Sequence, residues 1–404
     1  MDRERKGMHM GNWLRSAGVV SVVAATVAVV AACGQGEQDD DAPQGAGAAG
    51  GPAQVAEPVV VSYDGGIYVL DGTSLDVAKD IKLEGFNRLN PAGDDRHVMV
   101  STSDGFVALD AVGARLTDIE FPGAEPGHVV PHAGTTTLFA DGTGEATVFD
   151  PAELAEGKPE AENYTAAEPH HGVALRLSGG ELVVTLGNEQ DRVGMMVLGE
   201  DRTTELARNE NCPGVHGEAT ARGEAVVVGC EDGVLVYRDG GISKIDSPDD
   251  YGRIGNQAGS EASPIVLGDY KRDELAELER PEQVSLIDTV DGTMKLVDLG
   301  TSYTFRSLAR GPEGEALVLG TDGEIHVIDP DSASVERTIP VLGEWEEPLE
   351  WQQPRPALFV RGGTAYVTDP AEKTVVAVDL ASGEKVATAT LDEAPNELSG
   401  VTGH

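Results

Sequence analysis

Five stretches of the chain decide its fold, and the first is Val59-Val-Val-Ser-Tyr-Asp-Gly-Gly-Ile-Tyr-Val-Leu-Asp71. A short β-branched run meets an Asp-Gly-Gly turn, a second run returns, and an aspartate closes the unit. Asp-Gly between two such runs is a β-hairpin signature, because the tight turn needs residues that tolerate positive φ. The same unit recurs at His97–Asp110, Ala225–Tyr237, Ala316–Asp329 and Thr364–Asp379. A third run follows in most of them, as at Ser334–Pro340 and Glu384–Leu391, and a short fourth run precedes the next unit. Looser versions lie at Thr136–Phe149, Glu181–Leu198 and Ile265–Leu299. Helical periodicity is confined to short pieces, Pro151–Gly157 and Arg272–Arg280.

Four strands per unit, repeating every ~40 to 45 residues, is the pattern of a β-propeller. The expected fold class is therefore all-β. Counting units gives eight blades, with seven as the alternative. The ends support a closed ring. Asn396–Gly403 reads as an inner strand with nothing after it to pair with, and the unit at Val59 lacks an inner strand before it. Joining the two completes the first blade from both termini and removes the open sheet edge.

The segment before the repeats has a different character. Arg3, Arg5, Lys6 and Arg15 precede an apolar run from Val19 to Ala32. That run is shorter than the ~20 apolar residues a membrane helix needs, and it suits the core of a secretory signal. Its end, Val30-Ala31-Ala32-Cys33, resembles a bacterial lipobox. The expected organisation is a signal peptide over 1–32, a lipidated and disordered tether over 33–58, and one propeller domain over 59–404. Residues 34–58 are mostly Gly, Ala, Gln, Asp and Pro, a composition with no core to bury. The expected location is outside the cytoplasm, held to the cell membrane by the lipid on Cys33.

Seventy acidic residues against 29 basic ones give a formal net charge of −41. Such a chain repels phosphate, so nucleic acid is excluded as a partner. Besides Cys33, only Cys212 and Cys230 remain. In an exported chain, two cysteines near neighbouring strands are expected to form a disulfide. The alternative is a thiolate metal ligand.

The blade register also organises the histidines. The segment leading into each inner strand lies at one mouth of the propeller's channel. Three consecutive lead-ins carry imidazoles: Gly127-His128-Val-Val-Pro-His132, Pro169-His170-His171-Gly172 and Cys212-Pro-Gly-Val-His216-Gly-Glu218. The next, Gly255–Glu261, has none. His128, His170 or His171, and His216 are thus expected to converge. Neutral imidazole suits Zn2+, which takes four ligands in a tetrahedron. Glu218, Glu261 and Glu397 are candidate fourth ligands. His132, four residues beyond His128, is placed either in a deeper part of the site or beneath it.

The lead-in strings, together with Gly229-Cys-Glu-Asp-Gly-Val, Ser263-Pro-Ile-Val-Leu-Gly-Asp-Tyr, Phe305-Arg-Ser-Leu-Ala-Arg-Gly-Pro, Trp351-Gln-Gln-Pro-Arg-Pro-Ala-Leu-Phe and Pro395-Asn-Glu-Leu-Ser-Gly-Val, resemble the AztD family. That family comprises extracytoplasmic zinc metallochaperones associated with a zinc ABC importer. The resemblance spans nearly all of the chain after the tether. It implies a propeller that is not an enzyme and that passes Zn2+ directly to the importer's solute-binding protein, AztC. One feature departs from the family. Its His-rich or His/Asp-rich flexible segment, which assists zinc capture, is matched here only by Asp39-Asp40-Asp41, with no histidine. Two other functions fit a propeller with a polar mouth. One is a metal-dependent hydrolase or lactonase, although no nucleophile motif is present. The other is a metal-free scaffold for protein partners.

Overall fold

A computed structural model of the protein describes residues 54–402; the expected signal peptide, Cys33 and most of the tether lie outside the described residues. Eight four-stranded antiparallel sheets follow one another along the chain. Eight blades are therefore present, and the seven-blade alternative is set aside. In seven blades the four strands run in chain order from the channel outward. Blade 1 is different. Its outer three strands are Val59–Tyr63, Gly66–Leu70 and Val77–Lys82, and its innermost is Leu398–Gly400, from the far end of the chain. Val59, Val60 and Val61 pair with Gly400, Ser399 and Leu398, which closes the ring as the sequence expects.

The burial pattern explains why the hairpins read as continuous apolar runs. Val59–Tyr63 and Gly66–Leu70 are buried at every position, because both faces of a middle strand are covered by neighbouring blades. The outermost strand Val77–Lys82 is exposed almost throughout and carries Lys79, Asp80 and Lys82. Eight separate apolar clusters sit one at each blade-to-blade interface. The cluster that seals blade 8 to blade 1 contains Val59, Val61 and Tyr63 from one side, and Tyr366, Val375 and Ala377 from the other. Side chains add to that seal. Arg361 donates to the carbonyls of Glu57 and Pro58 at 2.6 and 3.2 Å, and the Tyr366 hydroxyl donates to Gly72 O at 2.8 Å.

Two helical expectations resolve differently. Pro151–Ala155 is a single 3-10 turn, started by Pro151 and capped by Asp150, which accepts from Ala152 N at 2.9 Å. Arg272–Arg280 forms no helix. There the Glu279 carboxylate accepts the backbone N–H groups of Arg272 and Asp273, and these side-chain contacts hold a loop. At the other end of the chain, Val55, in the last part of the expected tether, is buried and donates its N–H to Val112 O at 2.9 Å.

Candidate metal centre

The inner strands of blades 3 and 5 are Pro126–His132 and His216–Ala221. Each is irregular at the same place. Between Pro126 and Val129, and again between His216 and Ala219, three steps on the inner strand oppose two on its neighbour. One extra residue is thus inserted at Gly127-His128 and at Gly217-Glu218, a bulge that turns side chains away from the regular pleat. The two bulges bring His128 and Glu218 face to face, with His128 Nδ1 3.2 Å from Glu218 Oε2. Glycine suits both bulges, and at Gly217 the backbone requires it. Gly217 has φ +68°, and a Cβ there would stand 2.6 Å from Gly255 O; a Cβ on Gly127 would stand 2.3 Å from Asp141 Oδ1.

Three imidazoles gather between these bulges and the lead-in to blade 4. One ring nitrogen each of His128, His171 and His216 lies within 4.8 Å of those of the other two. The ring centroids are 5.4 Å apart for His128 and His171, 5.7 Å for His128 and His216, and 4.9 Å for His171 and His216. A tetrahedral zinc with ligands at ~2.0 to 2.1 Å holds its nitrogens ~3.3 Å apart. A small inward rotation of the rings would therefore close the set on an ion.

What stands behind the rings matters as much. His171 Nδ1 is 2.5 Å from Asp141 Oδ2, and His216 Nδ1 donates to Gly255 O at 2.5 Å. His128 Nδ1 lies in charge contact with Glu218, so two of the three rings are held by a hydrogen bond from behind and the third faces a carboxylate. Nε2 is the nitrogen left on His171 and His216. An acceptor on the far nitrogen fixes the tautomer and the ring plane and strengthens the ligand. Burial, reinforced by the neighbouring His128 and His171, pushes the His216 pKa well below the usual histidine value, so its ring stays neutral and able to bind a metal.

The acceptors are themselves held. Asp269 accepts from Gly255 N at 2.6 Å and from Asn256 N at 3.0 Å, which fixes the carbonyl that takes His216. Cys212 and Cys230 form a disulfide. It ties the segment leading to His216 onto the strand Ala225–Cys230, and Cys230 O accepts from Ile254 N, one residue before Gly255. The disulfide therefore fixes both His216 and its acceptor, and it rules out the thiolate alternative.

Other expected ligands lie elsewhere. His170 is buried beside Phe139; its Nδ1 is 2.9 Å from Glu168 O and its Nε2 3.2 Å from Thr185 Oγ1. Both nitrogens are used, so His171 alone represents that lead-in. His132 sits at the far end of its strand. Its Nε2 is 2.9 Å from Glu224 Oε1, and Glu224 also accepts from Ser178 N at 2.9 Å, which pins blades 3, 4 and 5 together. Glu261 is exposed in the turn after Gln257–Ala258, past the mouth. Glu397 is buried and paired with Arg306 at 2.5 Å. Glu218 alone of the three carboxylates is at the site, where it backs His128. Asp141, Asp269 and the Gly255 carbonyl were not anticipated from the sequence.

Known proteins share the fold. The zinc chaperone AztD of Citrobacter koseri is 24% identical over 306 residues, covering 73% of this chain and 70% of that protein. A structure of apo AztD from the same organism superposes with a TM-score of 0.74 at 20% identity, covering 85% of this chain and 96% of that one. The resemblance to the AztD family holds. Other propellers are less similar: dihydro-heme d1 dehydrogenase NirN has a TM-score of 0.57 at 14% identity, and Saccharomyces cerevisiae Sqt1 0.54 at 13%. No protein-family model matches the chain. The AztD likeness is thus one of fold and of order along the chain, and the assignment of the histidines stands on their geometry.

Proposed function

We propose that this chain is a zinc chaperone. It takes up Zn2+ on ring nitrogens of His128, His171 and His216 and passes it to the solute-binding protein of a zinc ABC importer. It works outside the cytoplasm, tethered to the membrane through a lipid on Cys33. The observation that carries the reading is the convergence of one ring nitrogen each from His128, His171 and His216, with His171 and His216 held by hydrogen bonds on Nδ1. The relative named as a zinc chaperone supports the same conclusion.

Three protein ligands leave one coordination position free. In a zinc hydrolase that position holds an activated water with a base beside it. Here Glu218 is engaged with His128, and Asp141 with His171. An open position without a free base suits exchange with an incoming ligand better than hydrolysis. The reading is tested by zinc titration against a chelator. Wild type should bind zinc stoichiometrically and His128→Ala/His171→Ala/His216→Ala should not; equal binding by both would exclude this site. Transfer to the solute-binding protein faster than release to the chelator would mark a chaperone, and release at equal rates would remove that role.

A further inference from the structure

Beside the histidines lies a cavity of about 360 Å³ whose charge is opposite to that of the protein. Arg88, Arg253 and Lys271 line it together with His171, His216 and Trp351. The one carboxylate in its wall, Asp269, is already engaged with Gly255 and Asn256. Arg253 is paired with Glu231 at 3.3 Å. Among the described residues Arg88 and Lys271 have no ion-pair partner within 4.0 Å, and Arg88 Nε is buried with no hydrogen-bond partner. In a chain with 70 acidic residues, two unpaired cations beside a metal-binding set call for a physical reason. By themselves they would repel Zn2+.

An anion removes the conflict, and the geometry points to a carboxylate-binding site here, taking a carboxylate borne on an organic body. A guanidinium and an ammonium hold such a group by charge-assisted hydrogen bonds. The half-exposed Trp351 indole offers an apolar wall for the carbon part. From this position one carboxylate oxygen lies next to His171 and His216, where it can occupy the open position of a bound zinc. The carboxylate comes either from a small organic acid or from an Asp or Glu of the protein that exchanges zinc with this one. Only the metal-coordination part of this inference rests on the function proposed above; the cation site stands without it.

The test uses the metal-free protein first. Calorimetric titrations would be made with citrate and, separately, with an end-blocked oligo-aspartate peptide. Binding that weakens about 10-fold or more in Arg88→Gln/Lys271→Gln, and is kept in Arg88→Lys/Lys271→Arg, supports the site. Citrate alone binding identifies a small acid as the source, and peptide alone identifies a protein side chain. No binding of either, or equal binding by the charge-removed variant, overturns the proposal. Cobalt(II) loading then reads the metal arm: added carboxylate should change the visible spectrum in wild type and not in the charge-removed variant. An unchanged wild-type spectrum would remove coordination while leaving the anion site, and failure to bind cobalt would count against the zinc reading alone.

Discussion

Two halves of the same rim put opposite chemistry at equivalent positions of the repeat. The lead-ins to blades 3, 4 and 5 supply His128, His171 and His216. The lead-ins to blades 7, 8 and 1 supply Arg306, Arg355 and Asn396-Glu397. On the arginine side every strong charge is matched. Arg306 donates to Asn396 and to Glu397, Arg355 donates to Glu347 Oε1 at 2.6 Å and to Glu350 O at 2.7 Å, and Phe305 lies against both guanidiniums. Burial lowers the Arg306 pKa to about 10, which still leaves it charged. On the histidine side one nitrogen of His171 and of His216 is hydrogen-bonded, His128 faces Glu218, and one nitrogen of each ring lies toward the other two. A network of paired charges locks blades together, whereas converging ring nitrogens without a protein partner can bind something. The repeat thus provides equal scaffolds, and the choice of side chain decides which is structural and which is functional.

The largest expected effect sets these halves against each other. Alanine at His128, His171 and His216 should abolish stoichiometric zinc binding and leave thermal stability of the metal-free protein near wild type. Arg306→Ala should do the reverse, because it strands Glu397 as an unpaired buried charge, at a cost of about 3–5 kcal/mol. Zinc titration and urea denaturation on both variants check this. If Arg306→Ala loses zinc as completely as the histidine variant, the rim is one coupled site and the division fails.

The contrast also marks what was legible in the sequence. Blade number and ring closure were readable because hairpin turns are local and because Leu398–Gly400 had no other strand to join. His128 and His216 were readable because they occupy the same place in the repeat. Between His170 and His171 nothing local could choose, since that lead-in has no strand periodicity and the choice depends on Asp141 and Thr185 from other segments. Asp141 itself reads as an ordinary Asp-Gly turn residue. Glu397 was misplaced because its lead-in position matches that of a ligand, while its partner Arg306 is 91 residues away in sequence. Position in a repeat is local information, whereas the partner that uses up a side chain is tertiary.

The next effects probe how the histidine half is held. Opening the disulfide with Cys212→Ser/Cys230→Ser should lower stability by about 3 kcal/mol, in line with a short closed loop. It should also weaken zinc binding, because the loop that carries His216 and the strand that fixes Gly255 are released together. A loss of stability at unchanged affinity would show that the loop holds its shape without the link. Smaller again, Asp141→Asn and Glu218→Gln remove the charge behind His171 and His128 while keeping the shape. Each should reduce zinc affinity by about 10- to 100-fold. Glu397→Gln, across the rim, should leave affinity unchanged.

The smallest effect is the contribution of His216 to the pH dependence of stability. In the unfolded chain its ring titrates near the usual value of about 6.5. In the folded protein burial and the two neighbouring imidazoles hold its pKa well below that. Above about pH 6.5 both states are neutral at this residue and it contributes no slope. As the pH falls below that value, the unfolded chain takes up a proton that the folded site refuses, so stability is lost by up to about 1.4 kcal/mol per pH unit until the folded pKa is reached. Urea denaturation of the metal-free protein at about pH 7.5 and about pH 5.5 measures the loss, and His216→Asn, which has no proton to gain, should show less of it. An identical slope in His216→Asn would mean that the ring accepts its proton inside the fold, and that the histidine half is less sheltered from water than its packing indicates.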